Sequence, residues 1–91
     1  GNEQAAIWYK AASINNIPQA QANLALAYYL GAGIDQDEMM AYVWATLASK
    51  ADTRFIAIKE LVFEGLSSDD KKKGDEKAQE VAAKLIEFND R

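Results

Sequence analysis

Cysteine and histidine are both absent from this 91-residue chain. Without them, no disulfide framework, thiol nucleophile, Cys/His zinc site or His-dependent triad can be built from its own side chains. The lack of cysteine leaves cytoplasm and periplasm undistinguished. Cations are in the minority: ten Lys and Arg against fourteen Asp and Glu leave a formal charge of −4. That sign opposes a phosphate-binding surface, so no nucleic-acid partner is expected. No apolar run approaches the roughly 20 residues that span a bilayer, and no signal-peptide pattern appears, so no membrane partner is expected either. What is there is 49% hydrophobic residues. This suffices for the modest core of one small domain, residues 1–91.

The stretch from Pro18 to Ser49 organises the rest. Ala20, Leu24, Ala25, Tyr28 and Gly31 recur every three or four residues, the period of a helix turned toward a core. The single proline fits the first turn, where its missing N–H costs nothing. Gly31 and Gly33 stop the helix, because a left-handed cap carries no Cβ penalty for glycine. Asp35 is expected to start the next helix, with Glu38 completing a capping box. Met40, Ala41, Trp44, Leu47 and Ala48 then form a second buried stripe. Two such helices joined by a short turn make an antiparallel hairpin.

The pattern recurs. Ala5–Ser13 (AAIWYKAAS) matches Ala41–Ser49 (AYVWATLAS) at an offset of 36, pairing Ala5 with Ala41, Trp8 with Trp44 and Ala12 with Ala48. A weaker echo at 37 sets Ala20 and Leu24 on Ala57 and Leu61. The chain therefore reads as the second helix of one repeat (3–13), a complete repeat (18–49), a degenerate helix (53–65) and a longer, more polar closing helix (68–89). Polar-faced closing helices keep repeat arrays soluble.

The string Gln21-x-Asn23-Leu24, Tyr28-x-x-Gly31-x-Gly33-Ile34-x-x-Asp37-x-x-x-Ala41-x-x-Trp44-x-x-x-Ala48 resembles the Sel-1-like repeat, a relative of the tetratricopeptide repeat. The match is dense over 20–49, covers half a repeat at 5–13 and is loose elsewhere. Ala25 stands where the family usually has glycine. The resemblance implies an all-α, right-handed superhelix of about five helices, the C-terminal part of a repeat array. It implies a scaffold or adaptor for other proteins, with no catalytic residue and no cofactor to carry over, and this variant of the repeat suggests a bacterial origin.

The remaining residues admit two readings each. Trp8 is either the core anchor that Trp44 is, or an exposed aromatic. The first helix of its own repeat is missing, so Ile7 and Trp8 are the expected edge for self-association, with a homodimer as one outcome. The helix from Pro18 is apolar nearly all round. Burial between neighbouring repeats explains that, as does a concave groove lined by Asn23, Leu26, Tyr29 and Leu30 that holds a protein or peptide. Arg54, Lys59 and Phe63 flank the stripe Phe55, Ile58, Leu61 and Val62, as a solvated edge or as the far wall of that groove. The acidic run Asp35–Glu38 lacks the third ligand, glycine and distant glutamate of a calcium loop and reads as helix capping, so no metal is expected. Asn2, Asp52 or Thr53, and Ser67 or Ser68 are the other expected caps. Gly74, Ala78, Val81, Ala82, Leu85 and Phe88 follow one stripe of the last helix. The Lys71–Lys73 run is locally balanced by Asp69, Asp70, Asp75 and Glu76. The carboxylates fall at helix starts and on polar faces, which argues against an acid/base enzyme.

Overall fold

The computed structural model describes residues 2–90. It contains α1 (Asn2–Ile14), α2 (Pro18–Leu30), α3 (Glu38–Ala51), a 3₁₀ turn (Thr53–Phe55), α4 (Ile56–Gly65) and α5 (Ser68–Asn89). Among the described residues there is no strand. The protein is all-α.

Local chemistry sets the breaks. Pro18 begins α2, and Gly31 ends it in the left-handed region at φ 68°, its N–H donating to the Ala27 carbonyl. Gly33 has φ 78°, and a Cβ there would overlap the backbone carbonyl of Asn2. Glycine thus lets the α2–α3 loop pass against the start of α1. The helix after this loop starts later than its sequence implies, because the Asp37 N–H donates to the Tyr28 carbonyl at 2.9 Å and ties the loop back onto α2. Asp37, not Asp35, is the cap, its Oδ1 accepting from the Met40 N–H at 3.0 Å. Asn2 is already helical. Asp52 caps the 3₁₀ turn and Ser67 caps α5.

Helix α3 is the axis of the molecule. Every residue from Ala41 to Ser49 is buried, because α2, α4 and α5 all pack on it. Leu24 and Ala25 of α2 join Val43, Trp44 and Leu47 of α3 and Ala78 and Leu85 of α5 in one cluster. Val62 and Leu66 close a second cluster over Ala41 and Tyr42. Ala22 meets Ala48 and Phe55, which brings α2 beside α4. By contrast, α1 rests mainly on α2, and α4 and α5 make no substantial contact with each other.

The structure corrects the weaker repeat register. At an offset of 37, buried Ala20 and Leu24 would fall on Ala57 and Leu61, which are exposed. The 3₁₀ turn and α4 together run from Thr53 to Gly65, which is α2 advanced by 35 residues. In that register Ala20 and Ala27 correspond to Phe55 and Val62, all four buried, but buried Ala22 and Ala25 correspond to exposed Ala57 and Glu60, so α4 repeats the core face of α2 only in part. Leu61 therefore leaves the stripe. Phe55, Ile58 and Val62 carry the contact with α3, and a larger set of side chains replaces the alanines of α2.

Candidate functional site

Helices packed on a common axis leave clefts where neighbours diverge. One groove, of about 210 Å³, runs between α1 and α2 and is lined by Asn2, Ala5, Tyr9, Asn23, Leu26 and Leu30 among others. A second, of about 500 Å³, lies between α4 and α5 with α3 as its floor; Tyr42, Ile56, Lys59, Glu60, Phe63 and Asp75 line it. A third cleft of about 400 Å³, between the ends of α1 and α5, is lined by Ile14, Trp44, Val81, Leu85 and Phe88.

The expected binding residues divide among these places. Asn23, Leu26 and Leu30 share the α1–α2 groove. Tyr29 packs against the cluster around Tyr42, and its carbonyl accepts from Gln36 Nε2 at 2.9 Å. Lys59 and Phe63 belong to the separate α4–α5 groove. Arg54 lines none of the three, since its guanidinium is held bidentately by Asp52 at 2.6–3.1 Å and lies 5.5 Å from the Phe55 ring centre. The same pairing, chiefly its side-chain hydrogen bonds, lowers the Asp52 pKa and raises that of Arg54.

Trp8 is 67% exposed and Ile7 61%, so the reading of Trp8 as a core anchor fails. Its counterpart Trp44 is 8% exposed. The buried face of α1 is instead Ala6 and Ser13, against α2. Among the described residues α1 packs mainly on α2, whereas α2, α4 and α5 all pack on α3.

The polar centre of the α4–α5 groove is not evident in the sequence. The Tyr42 hydroxyl donates to Asp75 Oδ1 at 2.5 Å, its ring lies 5.6 Å from that of Phe63, and Lys71 Nζ sits 4.6 Å from the Phe63 ring centre. Tyr42 looks like one more apolar residue in the run AYVW. Its buried hydroxyl was the available signal, because such a group needs a partner. Burial first, then the bond to Asp75, pushes the Tyr42 pKa from 10.0 up to about 12. A folded state that holds this proton more tightly than the unfolded chain is stabilised in full below pH 10, and loses that contribution as the pH rises from 10 toward 12. Chemical denaturation across this window is expected to show a steeper loss of stability for the native protein than for Tyr42→Phe. Equal slopes would refute the assignment.

Among the described residues, no three carboxylates gather to hold a metal ion, and no helix is long and apolar enough to cross a membrane.

This arrangement, antiparallel hairpins stacked about a shared helix with a repeat of 35–36 residues, defines an all-α helical-repeat superhelix. The particular fold is that of the Sel-1-like repeat. The crystal structure of c5321, a protective antigen of uropathogenic Escherichia coli strains displaying an SLR fold, superimposes with a TM-score of 0.84 at 26% identity. The match covers 96% of this chain and 18% of that one, so the chain spans less than a fifth of its neighbour's length. No protein-family model matches the sequence, and no curated protein matches it.

Proposed function

We propose that the protein is a non-enzymatic interaction module that holds a peptide or helix of a protein partner across the outward faces of α2 and α4. The observation that carries this reading is a leucine repeated in α2 and α4 and left at least partly open to solvent. Leu26 and Leu61 stand at equivalent positions in the 35-residue register; Leu61 is 53% exposed and Leu26 half-buried. Leu30, 68% exposed, lies one turn beyond Leu26, and Asn23 offers an amide beside them. Repeat proteins use such faces for extended partners, with apolar anchors and a few polar groups fixing register. Helical-repeat folds of this type supply surface rather than reactive groups, which fits a chain without histidine or cysteine. Tyr29, Arg54 and Lys59 stand outside this contact set, because core packing, Asp52 and the α4–α5 groove respectively engage them.

Selection of peptides from a displayed library against the full chain tests the reading. Binders are expected to lose at least about tenfold in affinity on Leu30→Glu and on Leu61→Glu, the scale of an interface anchor. Ala57→Glu, another exposed position of α4, is the control. Binders that ignore both leucines would refute the contact face.

A further inference from the structure

The leucine face of α2 and α4 is bordered by charge of one sign. No charged residue occurs from Ala11 to Ile34, so α2 brings only apolar and uncharged polar side chains to it. On α4, Arg54 is held by Asp52, and Lys59 lines the α4–α5 groove. The cations of these two helices are engaged elsewhere.

Both helices end where α3 begins. After Leu30 the loop folds back along the last turn of α2, the Gln36 side chain donating to the Tyr29 carbonyl and the Asp37 N–H to that of Tyr28. On α4, Glu64 follows Leu61 by three residues and so shares its face. A Cβ at the next residue, Gly65, would stand 3.9 Å from Glu38 Oε2. Asp35, Glu38 and Glu64 are thus gathered around one end of the leucine face. All three are exposed, and no ion pair among the described residues engages them. The basic run Lys71–Lys73 at the start of α5 does not offset them. Asp69, Asp70, Asp75 and Glu76 stand around it in sequence, and Lys71 lies over the ring of Phe63, which lines the α4–α5 groove.

An apolar strip that runs into unpaired carboxylates is complementary to a segment whose apolar side chains run into cations. A neutral segment would cover the leucines and leave the carboxylates without partners. A second copy of this chain would bring a net charge of −4 to them. We infer that the occupant of this face is a basic amphipathic segment of a partner protein, its apolar side chains on Leu26, Leu30 and Leu61 and its Lys or Arg side chains over Asp35, Glu38 and Glu64. This rests on the leucine-face reading and adds the chemistry of the partner. Because the carboxylates are exposed, they act mainly on encounter and on the choice of partner, while the leucines supply the buried area.

Peptides selected from an unbiased displayed library on the full chain are the probes. They are expected to carry Lys or Arg beside their apolar anchors, and to lose at least about fivefold in affinity between about 50 and about 500 mM NaCl. Asp35→Lys combined with Glu64→Lys is expected to cost at least about fivefold, with Asp37 left in place because it caps α3. A peptide whose own cations are changed to glutamate is expected to prefer that variant to the native chain. Glu76→Lys combined with Asp90→Lys shifts the net charge equally on α5 and is the control, expected to stay within about twofold. Circular dichroism of each variant confirms that the helices are retained. Binders that need Leu30 and Leu61 yet carry no excess of cations, or that hold the charge-reversed variant as tightly as the native chain, overturn this inference and leave the leucine face standing. Binders indifferent to both leucines overturn the two readings together. Self-association of the native chain that Leu61→Glu abolishes would make a second copy the occupant, and would overturn the inference as well.

Discussion

Replacement of Trp44 by alanine is expected to destabilise the protein by about 3–5 kcal/mol, whereas the same replacement at Trp8 changes monomer stability by no more than about 0.5 kcal/mol. The two tryptophans occupy equivalent repeat positions, with the same neighbours in sequence: alanine three residues before, alanine four residues after. Only the surroundings differ. Trp44 is packed among Leu24, Ala25, Leu47 and Leu85, and its removal would leave a cavity that three helices cannot close together. Trp8 projects into solvent, so truncation removes little packing. Urea denaturation at a concentration low enough to keep the chain monomeric measures both. Comparable losses at the two sites would mean that Trp8 is covered within the chain.

Gly74→Val carries the second large effect. At Gly74, α5 comes so close to α3 that a Cβ would stand 2.7 Å from Tyr42 Cδ2 and 3.3 Å from Met39 Sδ. The Tyr42 ring has no room to retreat, being held by its bond to Asp75 and stacked near Phe63. Valine is the better helix former by a few tenths of a kcal/mol, and a change judged on propensity alone would look stabilising. Overpacking is worth more: about 1–3 kcal/mol of destabilisation is expected as α5 is pushed off α3. Gly65→Ala is the matched control, since a Cβ there meets nothing nearer than Glu38 Oε2 at 3.9 Å. If Gly74→Val were as stable as the native chain, α5 would not be seated as described.

The order of helices, several of their caps and the existence of a repeat were legible because each depends on residues close in sequence. Pro18, Gly31, Asp52 and Ser67 act within one turn of themselves, and the Ala-x-x-Trp-x-x-x-Ala pattern repeats within one helix length. Where the structure departs from the sequence pattern, the deciding contact comes from elsewhere in the chain. Asp37 displaced Asp35 as a cap because its N–H is held by the end of α2. Leu61 looked like core because its spacing continues the stripe of Phe55, Ile58 and Val62, yet it stands at the exposed edge of that stripe.

The candidate binding residues divide in the same way. Asn23, Leu26 and Leu30 fall together because they share one helix face, and helical period alone predicts that. Lys59 lies in a different groove, one formed where α4 and α5 both pack on α3 and make little contact with each other. By itself, then, the sequence determined an all-α repeat, its breaks and the faces each helix offers. Tertiary structure alone decided which faces are used: identical motifs bury Trp44 and expose Trp8, because burial depends on how many helices surround a residue, and a residue's own helix does not encode that number.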